Sequence, residues 1–157
     1  GLYGYEVSVL PEHLLRMNRP TVITVWVSLY HSIALYGRDD HSHFFIIDPI
    51  VGKAKYTQEQ LLKKLEGTPK TGVVLSAKAI TPITSDSPQN FIRSLQIILK
   101  TENYLKKING IYDETMEQAV KSFQEHLKVK PTGQMDTFTY LLLTGPYLKE
   151  YSLKRNR

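Results

Sequence analysis

One histidine and one aspartate stand where two neighbouring strands would bring them together beside a nucleophile. His31 opens the segment "HSIALYG", and Asp48 ends the segment "FFIID". The polar stretch "RDDHSH" separates the two segments, and this pattern predicts a β-hairpin. Because adjacent strands lie about 4.8 Å apart, such a hairpin holds the imidazole and the carboxylate within reach of each other. In a pair of this kind the histidine acts as a base and the acid orients it.

The pair lacks a nucleophile within this chain. The 157 residues contain no cysteine, which excludes a cysteine nucleophile, a disulfide and a thiolate metal site. Ser28 and Ser32 flank His31 but follow no nucleophile-elbow pattern. A missing segment or a separate chain would have to supply the nucleophile, or else the domain is a remnant retained as a scaffold. Two structural roles stay open, with His31 as a core histidine and Asp48 as a strand end before Pro49.

The hairpin turn contains a second group of candidate functional residues, which could bind a metal ion. Two histidines and a carboxylate are ligands that suit zinc, and the turn contains Asp39, Asp40, His41 and His43. A solvated hairpin tip explains the same residues, because charged side chains are common in exposed turns. We favour the hairpin tip and expect neither a metal nor another cofactor.

Composition narrows the class of protein. An apolar fraction of 41% with 22% charged residues is typical of a soluble globular chain with one ordinary domain or two small ones. No apolar run approaches the roughly 20 residues that span a membrane. The start, "GLYGYEVSVL", lacks the features of a signal peptide, which leaves a mature chain or a fragment as alternatives. The net charge of +5 favours polyanionic partners, but no basic-aromatic array predicts nucleic-acid binding.

The first half has mostly extended patterning. "TVITVWV" is β-branched and almost entirely apolar, which predicts a strand buried on both faces. Thr57 is placed as the N-cap of a helix that stops at Gly67. The remaining predicted elements are a helix at Pro11–Met17 and strands at Thr21–Val27, Ser32–Gly37, Phe44–Asp48 and Thr71–Ile80.

The second half changes to a helical period. The segment 81–90, with two prolines, predicts a linker, and Ser87 and Pro88 predict a cap and a first-turn proline. Apolar stripes predict helices that contain Phe91 to Leu99, Met116 to Leu127 and about Asp136 to Leu143. Two corners share a pattern of Gly-x-apolar-Asp, in which the glycine relieves the backbone and the aspartate caps the next helix.

These patterns predict an α+β chain. Residues 1–82 form a mostly antiparallel sheet with short helices. Residues 87–148 form a small all-α domain of three helices, and residues 149–157 form a basic tail.

The landmarks of the helical half follow a pattern that runs through Leu95-Gln96, Tyr104-Leu105, Asn109-Gly110-Ile111-Tyr112-Asp113, Thr115, Ala119-Val120, Phe123-Gln124, Leu127, Thr132-Gly133, Met135-Asp136 and Thr139. This pattern resembles the three-helix peptidoglycan-binding domain of bacterial and phage cell-wall enzymes. Asn109 stands where that family usually has aspartate, and Glu114 stands where proline is common. The resemblance implies non-catalytic binding of cell-wall glycan or stem peptide.

The same resemblance implies ligand contacts around the turns. The candidates are the polar and aromatic residues Asn109, Tyr112, Thr115 and Gln124. The ring of Tyr112 could lie against a sugar while its hydroxyl finds a polar partner. A purely structural role stays open for each of the four.

The N-terminal half resembles the C39-like peptidases of the papain fold from Pro11 to Leu65. The matching positions are His31, Gly37, Asp48-Pro49, Gly52 and Tyr56-Thr57. The resemblance implies that His31 is the base and Asp48 its orienting acid. In that family the nucleophile lies on a helix before this region, and the corresponding residues here contain no cysteine.

These inferences predict a bacterial or phage-encoded protein that is extracellular or associated with the cell wall. It would bind peptidoglycan and thereby anchor or target its peptidase-like part. The alternative is a cysteine peptidase or amidase whose nucleophile lies on a missing segment or another chain. We do not expect the chain by itself to be catalytically active.

Overall fold

The structure is a computed structural model that describes residues 1–26, 29–147 and 154–155, the last two by backbone only. Residues 27–28, which are the end of the predicted strand "TVITVWV" and Ser28, lie outside the described residues. So does the predicted basic tail 149–157, apart from the backbone of 154–155.

The chain forms two compact units. We call Gly1–Ala79 with Gly145–Arg157 the strand unit and Ile80–Thr144 the helical unit. Together they confirm the α+β class. The elements of the strand unit are β1 (Tyr3–Ser8), α1 (Pro11–Met17), β2 (Thr21–Trp26), β3 (Tyr30–Arg38), β4 (Phe44–Asp48), β5 (Gly52–Tyr56), α2 (Gln58–Lys64), β6 (Thr71–Ser76) and β7 (Lys154–Arg155).

One sheet runs through the strand unit in the order β1-β6-β2-β3-β4-β5. All pairs along this path are antiparallel, and β7 pairs with β3 in parallel. The predicted hairpin is present, because Ala34 of β3 lies opposite Ile47 of β4. Continuing this register, the end of β4 lies beside the beginning of β3, where His31 is located.

β2 alternates between buried and exposed residues, so the prediction that it is buried on both faces is wrong. Ile23 and Val25 are fully buried, whereas Val22 is 38% exposed and Trp26 is 44% exposed. An antiparallel sheet can pack one face on a core and leave the other in solvent. The apolar run in the sequence therefore reflects a core face plus an apolar outer face.

The strands β1, β5 and β7 were not predicted, and the first two depend on pairing more than on an apolar pattern. β1, with the sequence YGYEVS, pairs with β6 over six positions from Tyr3↔Ser76 to Ser8↔Thr71. β5, with the sequence GKAKY, lies at the edge of the sheet, where lysines are typical. β6 ends at Ser76, before the predicted end at Ile80, and the Ser76 hydroxyl donates to the Lys78 carbonyl in the bend that follows.

The helical unit contains α3 (Gln89–Thr101), α4 (Glu114–His126) and α5 (Thr137–Thr144). The apolar stripe predicted for α3 begins at Phe91 and includes Leu95 and Leu99. Leu95 and Leu99 are buried, but Phe91 is 53% exposed and its neighbour Ile92 is buried instead. Pro88 occupies the N-cap of α3 without a side-chain cap, while the Ser87 hydroxyl accepts from the Thr84 N–H. Within the described ranges, no helix has the length and apolarity needed to cross a membrane.

Candidate functional site

The sheet brings His31 and Asp48 into contact. His31 Nε2 lies 3.2 Å from Asp48 Oδ2, and the two side chains are 10% and 2% exposed. The other carboxylate oxygen, Oδ1, accepts a 2.8 Å bond from the Ile50 N–H in the turn after β4. Asp48 is therefore held from both sides, and it holds the imidazole in one orientation.

The electrostatics of the pair assign its protons. Burial raises the pKa of Asp48, but the Ile50 N–H and His31 lower it, and the net effect is a pKa below the usual aspartate range. An ionised carboxylate can only accept, so Nε2 of His31 donates to it. In the neutral imidazole Nδ1 then carries the lone pair, and this atom is buried with no hydrogen-bond partner among the described residues. Nδ1 is thus arranged to accept a proton from a group that reaches it.

No described side chain is placed as a nucleophile for this base. Cysteine is absent from the chain, and Ser32 lies on the opposite face of β3 from His31 because neighbouring strand residues alternate. Ser28 lies outside the described residues. Among the described residues, the pair therefore has a base and an acid in contact but no nucleophile beside them.

The hairpin tip is organised around Asp39. One carboxylate oxygen accepts from the backbone N–H groups of His41 and His43, and the other accepts from His43 Nδ1 and Lys55 Nζ, both at 2.8 Å. The Lys55 ammonium is the largest cause of a pKa for Asp39 far below its usual range. Among the described residues, no group of three or more His, Asp or Glu side chains is placed to hold a metal ion.

In the helical unit, a buried glutamine binds the backbone of the first Gly-x-apolar-Asp corner. The Gln96 side chain is 1% exposed. Its Oε1 accepts from the N–H groups of Asn109 and Gly110, and its Nε2 donates to Asn109 Oδ1 and to the Ile111 carbonyl. Asp113 then caps α4 by accepting from the Met116 N–H.

Gln124 does the same for the second corner. It is 1% exposed, and its Oε1 accepts from the Gly133 N–H at 2.9 Å. Its Nε2 lies within hydrogen-bond distance of the Gln134 carbonyl and the Thr132 and Thr139 hydroxyls. The Tyr112 hydroxyl donates to the Gly133 carbonyl at 2.8 Å, so the N–H and the carbonyl of Gly133 are both bound by side chains. Burial raises the pKa of Tyr112 to about 12.

The four residues predicted to contact a ligand differ in burial and in hydrogen bonding. Gln124 is buried with its amide fully used, and Tyr112 is half-buried at the second corner. Asn109 is exposed but bonded on both amide atoms, since its Nδ2 donates to Asp113. Thr115 is exposed in the first turn of α4 and lines a groove. The structure brings Tyr112 and Gln124 together at Gly133 and leaves Thr115 apart from them.

The groove at Thr115 has a volume of about 460 Å³. One wall is Tyr104, whose ring meets Phe123 edge-on at 5.5 Å. Sequence reasoning missed most of its lining, although Glu114, Gln118 and Ser122 follow an i, i+4, i+8 polar row on α4 that could have shown it. The lining includes Tyr104, Lys106, Glu114, Thr115, Gln118 and Ser122.

Comparison with known proteins connects the helical unit with one domain family. Residues 88–143 match the family model described as "Putative peptidoglycan binding domain". No curated protein matches the chain in sequence. Among solved structures, the chain is similar to a periplasmic domain of the EpsAB fusion protein of the Vibrio vulnificus type II secretion system, with 13% identity and a TM-score of 0.44. That similarity covers 95% of this chain and 67% of the other. The likeness of the N-terminal half to C39-like peptidases stays a prediction.

Proposed function

We propose that the helical unit binds peptidoglycan and thereby keeps the strand unit at the bacterial cell wall, outside the cytoplasm. The observation that carries this proposal is the match of residues 88–143 to the peptidoglycan-binding family model. The matched range lies within the helical unit, Ile80–Thr144. Binding of this kind needs no catalytic group, and its effect is to raise the concentration of the attached unit at the wall.

The groove beside Thr115 is the binding site in this proposal. Glycan strands and stem peptides offer hydroxyl, amide and carboxylate groups together with apolar ring faces. The groove has matching partners, with an ammonium at Lys106, a carboxylate at Glu114 and the aromatic ring of Tyr104. Its open, shallow form suits weak binding by each copy of the domain.

Thr115 and Lys106 are the contacts we assign to the ligand. Asn109, Tyr112 and Gln124 are the other contacts implied by the resemblance, and their side chains are bonded within the two corners. In this proposal these three residues stabilise the two glycine corners. One corner comes directly before α4, the helix that forms the groove, and the other comes after it.

The test is retention of the full chain on purified peptidoglycan sacculi. The chain is titrated with sacculi, and the bound fraction in the pellet gives an apparent dissociation constant. Lys106→Gln should weaken binding by about 3- to 5-fold, because it removes a single solvent-exposed charge contact. Thr115→Val, which keeps the shape and removes the hydroxyl, should weaken binding by a similar factor.

Matched controls lie on α3, outside the groove. Lys100→Gln removes an exposed lysine, and Thr101→Val removes a hydroxyl that only donates to the Ile97 carbonyl. Neither should change retention by more than the error of the titration. If the unsubstituted chain stays in the supernatant, peptidoglycan binding is refuted. If the groove variants and the controls behave alike, the groove is the wrong site.

A second candidate function rests on the His31–Asp48 pair. A carboxylate-bonded imidazole whose Nδ1 is free to accept a proton is the base half of a cysteine peptidase or amidase. We propose this role only in combination with a nucleophile from another segment or another chain. The nucleophile's proton would pass to Nδ1, while the Asp48 carboxylate stabilises the resulting imidazolium.

The experiment compares this chain alone with the same chain supplied with a cysteine, either on a longer polypeptide that contains it or on a second chain added to it. Release of stem peptides from sacculi is measured by chromatography. Release that needs both the added cysteine and His31 supports the role, and His31→Ala should abolish it. Release that survives His31→Ala, or its absence in every combination, contradicts it.

A further inference from the structure

The strand unit has a cavity of its own, with a volume of about 500 Å³. This volume falls within the range of sites that bind small molecules, roughly 300–1,000 Å³. Residues from the end of β2, the end of β5 and α2 line it, including Trp26, Lys55, Tyr56, Lys63, Lys64 and Glu66. Neither the corners of the helical unit nor the His31–Asp48 pair contributes to this lining.

The aromatic wall of the cavity is held in place before any ligand arrives. Trp26 is 44% exposed, and its ring packs against the ring of Tyr30 at 4.6 Å between centroids. The Tyr30 hydroxyl donates to the Gly67 carbonyl, just after α2. This bond ties the aromatic pair to the helix side of the unit. A wall fixed in this way loses little conformational entropy when something binds against it.

The rim of the cavity has an excess of positive charge. Lys55 is neutralised by Asp39 at 2.8 Å. Lys64 lies over the ring of Tyr56 at 4.9 Å, and no ion pair joins Lys63 or Lys64 to a carboxylate within the described ranges. Two ammonium groups thus stand against the single carboxylate of Glu66. The balance favours a ligand with a negative charge.

We propose that this cavity binds a sugar that carries a carboxylate. The indole face is electronegative and attracts the polarised C–H groups of a sugar ring, while Lys63 and Lys64 bind the carboxylate. The site belongs to a different unit from residues 88–143, so it stands whether or not those residues bind peptidoglycan. If both sites act, the chain holds an acidic glycan at two points.

The same features argue against a simple anion site. A bare anion such as phosphate has no apolar ring face to place against an exposed tryptophan. A neutral sugar can accept hydrogen bonds from the two ammonium groups but gains no charge pairing with them. An acidic sugar uses the combination of a fixed aromatic face with two lysines, Lys63 and Lys64, that no carboxylate pairs within the described residues. Nucleic acid is a poorer fit, since the lysines that line this cavity form a local rim instead of a long stripe.

The chain provides its own probe for the test. Trp26 is the sole tryptophan in the sequence, so intrinsic fluorescence of the full chain reports on this cavity. The chain is titrated at neutral pH and low salt with N-acetylmuramic acid and, separately, with N-acetylglucosamine. The two sugars share the ring and differ in the carboxylate-bearing lactyl group. The acidic sugar should shift or quench the emission with saturation, and the neutral one should require at least about 5-fold higher concentration.

Two variants and one control locate the effect. Lys63→Gln and Lys64→Gln should each weaken binding of the acidic sugar by about 3- to 5-fold, and added salt should weaken it further. Lys53→Gln removes an exposed lysine of β5 that does not line the cavity, and it should leave the titration unchanged. Far-UV circular dichroism of each variant checks that the fold is kept.

The outcomes separate the possible ligands. A response to glucuronic acid as well as to N-acetylmuramic acid supports the proposed class, and a response to N-acetylmuramic acid alone narrows it to muramyl sugars. An equal response to both neutral and acidic sugars overturns the role of the lysines. An equal response to inorganic phosphate, or none to any sugar, overturns the proposal. Loss of sacculus retention by the helical unit leaves this titration unaffected, so the two failures are distinguishable.

Discussion

The exchange of Gln124 for leucine tests whether this residue serves the fold. Leucine has nearly the same volume and no polar atoms, so the core stays filled while four contacts disappear. The Gly133 N–H loses its acceptor, and the Thr139 hydroxyl loses its donor. Both contacts are buried, so water cannot replace them within the native structure.

The magnitude follows from these two groups. A buried polar group left without a partner costs about 1–3 kcal/mol. Two such groups predict a loss of about 2–4 kcal/mol. This is the lower part of their summed cost, because the Thr139 hydroxyl can partly rotate towards another acceptor. A helical unit of this size has a free energy of unfolding of roughly 3–10 kcal/mol. The substitution should therefore remove a large part of its stability.

Urea unfolding of the full chain, followed by circular dichroism at 222 nm, measures the effect, because this signal weights the helices. With a slope of about 1 kcal/mol/M, the midpoint of the helical transition should fall by about 2–4 M. Trp26 fluorescence follows the strand unit separately. The control is Gln118→Leu on the same helix, where the side chain is exposed and the change should stay within about 0.5 kcal/mol.

The reasoning fails if Gln124→Leu unfolds at the same urea concentration as the unsubstituted chain. A variant that keeps its stability but no longer binds sacculi would make Gln124 a direct ligand contact. The expected result is the reverse, in which binding is lost only to the extent that the helical unit is unfolded.

Three further changes have defined outcomes. Gly72→Ala should destabilise the strand unit by about 2 kcal/mol or more, seen as a lower melting temperature, because a Cβ there would lie 2.5 Å from the Val22 carbonyl oxygen. Asp48→Asn should be less stable than the unsubstituted chain at neutral pH, and the difference should shrink below about pH 4. Because folding lowers the pKa of Asp48, its carboxylate stabilises the folded chain at any pH above the pKa of the unfolded chain. This stability is lost as the pH falls through the pKa of the folded chain. Tyr112→Phe should cost about 0.5–1.5 kcal/mol at neutral pH through its bond to the Gly133 carbonyl. Since the pKa of Tyr112 is raised to about 12, the unsubstituted chain should also lose stability between about pH 10 and 12, a loss that the variant lacks.

Each of the three has an outcome that contradicts it. An unchanged melting temperature for the alanine at Gly72 would mean that the strands shift apart without cost. A constant difference across the acid range for Asp48→Asn would mean that its carboxylate titrates alike in the folded and unfolded chain. For Tyr112, parallel loss of stability in both chains at alkaline pH would assign the titration to another group.

The sequence predicted best those elements that local chemistry determines. Thr57 is the N-cap of α2, as predicted, and the structure adds a capping box in which the Thr57 and Gln60 side chains each accept from the other's backbone N–H group. The two glycine corners also follow from sequence, since both Gly110 and Gly133 have positive φ and each is followed by a capping aspartate. These features depend on residues only a few positions apart.

Predictions failed where a residue's role depends on partners far along the chain. β1 has a weak pattern of its own and exists because β6 pairs with it some seventy residues later. The exposure of Trp26 and the internal bonding of Gln124 are also invisible in a periodic pattern, because each depends on what packs beside it. The groove lining was missed for the same reason, although its polar row on α4 was present in the sequence.

By itself, the sequence determined the α+β class, the helical turns of the second half and the absence of a cysteine nucleophile, because residue types, short spacings and composition carry that information. The tertiary structure decided which atoms of His31 and Asp48 meet, that Gln96 and Gln124 bind the corners from inside, and that Trp26 faces a lysine-rimmed cavity. Contacts of this kind arise from strand pairing and helix packing between distant segments. Their distances depend on the register of the sheet and the packing of the helices, which no local pattern of residues specifies.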